Sequence, residues 1–141
     1  GALFEKLRSS LALRGTARIG LCLFWDVLNY LDGKQVKTLF DALAPNLHSL
    51  TRAHGFGVRS TSMRLEPLRY GIQDQQTLSL QPRPGGIPPA FAHTQASLKR
   101  LLSGMEIGKV LLMPDGRLEM LFFAAASAAD SARTPVATGL A

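Results

Sequence analysis

Residues 17–29 read A-R-I-G-L-C-L-F-W-D-V-L-N, and the choice between strand and helix here decides the architecture. Ile19, Leu21, Cys22, Leu23, Phe24 and Trp25 supply an apolar run that Asp26 stops. A half-exposed strand alternates polar and apolar positions, whereas a strand buried on both faces does not, so a central strand of a parallel sheet is the natural reading. A single apolar helix over residues 19–31 is the rival, because periodicity does not separate the two in so short a run. Gly20 and the abrupt Asp26 favour a strand of roughly seven residues in the middle of the sheet. Asp26 then stands at its carboxyl end, the edge where open α/β sheets carry ligands and catalytic groups.

Upstream, Leu3, Phe4, Leu7 and Leu11 recur at helical spacing ahead of Gly15, which predicts an amphipathic helix over residues 3–14. Downstream, Leu31-Asp32-Gly33 is turn chemistry, and Val36, Leu39, Phe40, Leu43, Leu47 and Leu50 fall on one helical face. Pro45 interrupts that face, so a kink or break is expected near Ala44. Residues 56–63 suit a second strand, 66–70 a single helical turn, and 77–80 a strand running into the loop of Pro82, Pro84, Gly85 and Gly86. Residues 88–103 read as a helix ended by Gly104, and residues 109–113 as another apolar strand.

Pro114-Asp115-Gly116 has two readings. As a hairpin turn it pairs residues 110–113 with 117–123. As a βα loop it launches a helix through Leu118, Leu121, Phe122, Ala125 and Ala129, and the alanine-rich stretch favours this second reading. Residues 135–138 read as a last edge strand or a frayed tail. Strands alternating with helices predict a parallel sheet covered on both faces, an α/β fold of the Rossmann-like three-layer sandwich type. Residues 1–16 form an N-terminal helical extension and residues 17–141 the α/β domain. The extension is also the expected surface for a protein partner or a dimer.

The 141 residues make one domain with 46% apolar content. Net charge is +6 and the pI about 10.1, with sixteen Lys and Arg spread along the chain. Such a field favours a polyanion such as RNA or DNA, although net charge by itself also suits an ordinary basic protein. Cys22, the one cysteine, lies inside the apolar run and reads as core. No stretch has the order of a signal peptide and no apolar run reaches about twenty residues, so an intracellular protein with no membrane partner is expected. The Gly-Ala start suggests an excised domain or a tag scar.

Taken in order, these pieces resemble the NYN branch of the PIN-like ribonuclease domains. Phe24-Trp25-Asp26-Val27-Leu28-Asn29 is similar to that family's opening strand, which ends in Asp with Asn three residues on. The stretch V-L-L-M-P-D-G-R-L at residues 110–118 is similar to its late strand and acid-glycine loop. The resemblance covers roughly residues 18–139. It implies carboxylates converging at the sheet edge to hold Mg²⁺ or Mn²⁺ for attack on an RNA phosphodiester. Asp26 and Asp115 would be the catalytic and metal-binding acids, with Asn29 orienting Asp26 or touching a phosphate.

Two departures point to reduced chemistry. The chain has no acid between Asp74 and Glu106, and Arg117 stands where the family has a second late acid, beside Asp115. Glu119 compensates only if its helix turns it inward. Arg52, Arg59, Arg64 and Arg69, with Arg117, are the candidate nucleic-acid-binding residues, and affinity carried by them would fall with salt. Asp26 also reads as a simple capping acid and Asp115 as ordinary turn chemistry. His48 and His54 lie on different faces of a helix, His93 stands alone, and Ser60, Thr61 and Ser62 have no adjacent base. Three functions follow: an RNA-binding domain with degenerate cleavage, an active metal-dependent endoribonuclease, or a helix-turn-helix DNA-binding module if residues 18–24 are helical.

Overall fold

The computed structural model describes residues 1–86 and 88–125. Helix α1 (Ala2–Ser10) is shorter than its apolar spacing predicts. It is tied to the body by Arg8, whose Nη1 donates to the Ala42 carbonyl at 2.8 Å and to Asn46 Oδ1 at 2.7 Å. Strand β1 (Leu21–Trp25) follows, then a 3-10 turn over Val27–Tyr30. Helix α2 (Gly33–Leu43) starts in a capping box: the Asp32 carboxylate accepts the Gln35 N–H at 2.8 Å, and Gln35 Oε1 accepts the Asp32 N–H at 2.9 Å. It ends where Pro45 enforces a 3-10 turn over Ala44–Asn46, the break that proline predicts.

Strand β2 (Arg52–Val58), strands β3 (Leu68–Ile72) and β4 (Leu78–Pro82), helix α3 (Gln95–Leu101) and strands β5 (Met105–Leu112) and β6 (Arg117–Ala124) complete the described chain. The main sheet has the order β1-β2-β6-β5. β1 and β2 are parallel, while β6 runs antiparallel to both β2 and β5. β3 and β4 form a separate antiparallel ribbon. The fold is mixed α/β and opens on a parallel βαβ unit.

One face of the sheet carries the core. Phe24, Ala53, Met120 and Phe122 meet Val36, Leu39, Phe40 and Leu43 of α2 and Leu98 of α3. The Phe40 ring lies 5.3 Å from Phe24 and 6.4 Å from Phe122, and Phe24 meets Phe122 edge-on at 5.8 Å, within the range of favourable aromatic pairs. On the opposite face Leu21, Leu23, Leu121 and Phe123 stay exposed. The described helices therefore cover one side of the sheet.

Several expectations are corrected. Residues 21–25 form a strand, which removes the helix-turn-helix reading, but among the described residues β1 is an edge strand and not the middle of the sheet. Pro114-Asp115-Gly116 makes a hairpin and not a βα loop: Met113 and Arg117 pair at 2.8 Å and Gly116 takes φ +89°. Leu118, Met120 and Phe122 point inward at a spacing of two, and apolar Leu121 and Phe123 on the other face disguise that period as a helical one. Residues 68–72 are strand and not a helical turn, and residues 88–94 precede α3 without being helical. The expected strand at 135–138 lies outside the described residues.

Candidate functional site

β1 delivers Asp26 to the carboxyl end of the parallel pair, as its position after the apolar run implies. The strand is irregular there. Its register with β2 shifts between Leu23 and Trp25, and Trp25 has φ +49°, a left-handed conformation uncommon outside glycine. Such strain persists where surrounding contacts over-determine it. Here the Trp25 ring stacks on Tyr70 of β3 at 5.3 Å, and Tyr70 stacks on Phe56 of β2 at 5.6 Å. The Asp26 carboxylate accepts the Leu68 N–H at 3.3 Å, which ties β3 over the end of β1.

A cleft of about 270 Å³ opens against Asp26, walled by Tyr30, Tyr70, Leu68, Arg64 and Arg117. Partial burial raises the Asp26 carboxyl above its ordinary value, outweighing the Leu68 N–H and the charges of Arg117 and Arg83. Burial, with Asp26 adding to it, pushes the Tyr70 hydroxyl up to about 12, and burial raises Tyr30 as well. Both tyrosines are neutral at physiological pH.

Arg117 is the fixed cation of the site. Its Nε donates to Asp115 Oδ2 at 2.7 Å, its backbone N–H to Asp115 Oδ1 at 3.0 Å, and its Nη1 to the Tyr70 hydroxyl at 2.8 Å. The guanidinium also sits 4.4 Å from the Phe56 ring centre. Burial pulls the Asp115 carboxyl upward, but these Arg117 contacts prevail and hold it below its ordinary value. Asp115 is thus spent on Arg117. Glu66 and Arg64 complete the rim of the cleft.

The structure sorts the sequence-predicted residues sharply. Asp26, Asn29, Asp115, Arg64 and Arg117 line the same cleft. Asn29 is 3% exposed, and its Nδ2 donates to the Phe56 carbonyl at 3.0 Å, so it braces the 3-10 turn against β2. Arg52 begins β2 and Arg59 follows its end, a separation of roughly 20 Å at about 3.3 Å per residue. Arg69 lines a neighbouring cavity together with Asp26, Trp25, Tyr70 and Arg83. Glu119 pairs with His54 at 3.2 Å on the bare face of the sheet and not in the cleft. Tyr30 and Tyr70 escaped the sequence reading: Tyr30 ends the 3-10 turn that follows Asp26, and Tyr70 arrives only with the fold of β3 across β1.

The Mg²⁺ or Mn²⁺ site is corrected on chemistry. Among the described residues no three His, Cys, Asp or Glu side chains stand close enough together to hold a metal ion, and Asp115 already neutralises Arg117. Among the described residues, too, no helix is long and apolar enough to cross a membrane.

No family model matches the chain, and no curated protein matches it in sequence. Solved structures similar in fold include an S-adenosylmethionine-dependent methyltransferase from Clostridium acetobutylicum ATCC 824, at 14% identity and a TM-score of 0.50. The match covers 86% of this chain and 70% of that chain. This likeness overturns the NYN/PIN resemblance, and with it the degenerate RNA-binding and ribonuclease functions and their metal cofactor. The reason is visible in the hairpin: the segment after Asp115 returns as β6 between β2 and β5, where the NYN resemblance needed a helix. The chain has a Rossmann-type mixed α/β fold, similar to that of a methyltransferase.

Proposed function

We propose that the Asp26 cleft is the acceptor-binding half of a methyltransferase-type site, holding a small substrate by an N–H group. The observation that carries this reading is Asp26 itself: a half-buried carboxylate at the carboxyl end of a parallel strand, with raised proton affinity and one backbone N–H as partner. A cleft of about 270 Å³ lies just below the roughly 300 Å³ at which drug-sized ligand pockets begin, which suits a small acceptor. Tyr30 and Tyr70 supply neutral aromatic walls, and the Arg117 hydrogen bond fixes the Tyr70 ring. Asp26 would accept the acceptor's N–H and orient its nitrogen.

The methyl donor in that similar protein's name does not fit the residues described here. A nucleotide-bearing cofactor in a Rossmann-type sheet needs a glycine-rich turn between a strand and a helix N-terminus. β1 instead runs into Asp26-Val27-Leu28-Asn29-Tyr30, and the Asp32 carboxylate caps the N-terminus of α2 by accepting the Gln35 N–H. Gly85 and Gly86 follow an antiparallel strand and open no helix.

Titrating the labelled chain with small amines, amides and carboxylates, followed by amide NMR, tests the reading. Compounds bearing N–H should shift the Leu68 and Asn29 amide signals saturably while carboxylates do not, and Asp26→Asn should weaken binding about tenfold or more. Equal response to carboxylates, or binding indifferent to Asp26→Asn, refutes it.

A further inference from the structure

We propose that the substrate of the Asp26 site is an amine that also carries an acid: its N–H meets Asp26, and its carboxylate or phosphate meets Arg83 across a second cavity. This rests on the acceptor reading above and names the substrate class which that reading leaves open.

The second cavity has a volume of about 560 Å³ and shares Asp26, Leu68 and Tyr70 with the first. Its size falls within the roughly 300–1,000 Å³ of small-molecule clefts. Two arginines, Arg69 and Arg83, line it, and among the described residues Asp26 is its one acid. Leu23, Trp25 and Val27 add apolar wall. One carboxylate is thus common to two cavities, and the second of them brings the opposite charge.

Arg83 is held there by the chain around it. Its backbone N–H donates to the Pro67 carbonyl at 3.2 Å, next to the Leu68–Pro82 pair at the end of the β3–β4 ribbon. Leu68 in turn donates its N–H to Asp26, so the same ribbon end carries the arginine and grips the carboxylate. Arg83 also stands between Pro82 and Pro84. Proline fixes its own φ and confines the residue before it to extended backbone, so less freedom is lost when Arg83 takes a ligand.

Charge gives the ligand its chemistry. The ion pairs among the described residues are Lys37–Asp41, His54–Glu119 and Asp115–Arg117, so Asp26 and Arg83 share a cavity without pairing. The Arg83 charge still reaches Asp26 and Tyr30, and it lowers the proton affinity of both. Opposite charges that feel each other without touching suit a ligand that satisfies both, an N–H donor for the carboxylate and an oxyanion for the guanidinium fork. A simple amine leaves Arg83 unused, and a simple acid meets Asp26 with like charge.

Matched probes test this on the whole chain: benzylamine, para-aminomethylbenzoate and para-aminomethylphenyl phosphate. Trp25, the one tryptophan, lines the second cavity and not the first, so its fluorescence reports the acid, while the amide signal of Asn29, which lines only the first, reports the amine. At least one acid-bearing amine should bind about fivefold tighter than benzylamine, the upper end for an exposed charge pair, and change Trp25 emission saturably. The acid that gains more names the anion. Arg83→Gln should erase the advantage and Arg83→Lys, which keeps the charge, should restore part of it, with the urea midpoint unchanged in both. An advantage below about twofold for both acids, or one that survives Arg83→Gln, overturns the inference and leaves the acceptor reading standing. Benzylamine binding that does not depend on Asp26 sinks the acceptor reading and this one with it.

Discussion

Replacing Asn29 by alanine removes one hydrogen bond and strands one carbonyl in the interior. β1 ends its pairing with β2 at Gly55, one residue short of Phe56. The Asn29 amide takes the place of the missing strand partner, its Nδ2 donating to the Phe56 carbonyl at 3.0 Å from a residue only 3% exposed. A net hydrogen bond contributes about 1 kcal/mol, while a buried acceptor left alone costs about 1–3 kcal/mol. These overlap, so the expected loss for Asn29→Ala is about 2 kcal/mol. In a domain of this size that lowers Tm by about 6–8 °C, and at a typical slope it moves the urea midpoint down by about 1 M with the slope unchanged. Asn29→Asp, which keeps the volume but offers an acceptor to an acceptor and buries a charge, should be worse. Equilibrium urea unfolding followed by circular dichroism measures both. A loss below about 0.5 kcal/mol for Asn29→Ala, the range of ordinary surface substitutions, would refute the bracing role and free Asn29 for a ligand.

Two further outcomes follow from the same geometry. Burial raises the Asp26 carboxyl, so the folded chain binds that proton more tightly than the unfolded chain; its contribution is full below the unfolded value near pH ~3.9 and is lost as pH rises through the folded one. Asp26→Asn should therefore match the parent at about pH 4 and be the more stable protein at about pH 7.5, and a difference that is flat or reversed with pH contradicts this. Arg8→Ala removes the guanidinium bonds to the Ala42 carbonyl and Asn46 Oδ1, with an expected cost of about 1–3 kcal/mol. Amide exchange should rise in α1 well before β2, and unchanged exchange in α1 would show that the helix is held by other contacts.

Much of the local structure was legible because it depends on neighbours in sequence. The Leu31-Asp32-Gly33 turn announces the start of α2, Pro45 its end, and the apolar run of residues 19–25 its strand. The hairpin at Pro114-Asp115-Gly116 was misread for a physical reason. Leu121 and Phe123 lie on the sheet's second face, where their apolar character hides the two-residue alternation of Leu118, Met120 and Phe122. In the site, Asp26 was legible from its place after a buried-type strand, and the Asp115–Arg117 pairing from their spacing. Tyr70 was not, since β3 reaches Asp26 only through tertiary contacts: the Leu68 N–H on its carboxylate, the Trp25 stack and the Arg117 hydrogen bond.

The sequence by itself determined that residues 21–25 are a strand apolar on both faces and that Asp26 ends it, because backbone preference and hydrophobic patterning act within a few residues. Only the tertiary structure decided that this strand is an edge, that β6 and not a helix follows Asp115, and that the acids meet aromatic rings and an arginine rather than one another. Strand order is set by which long-range pairings bury the most surface together. Among the described residues, the same balance leaves one side of β1 without a strand partner.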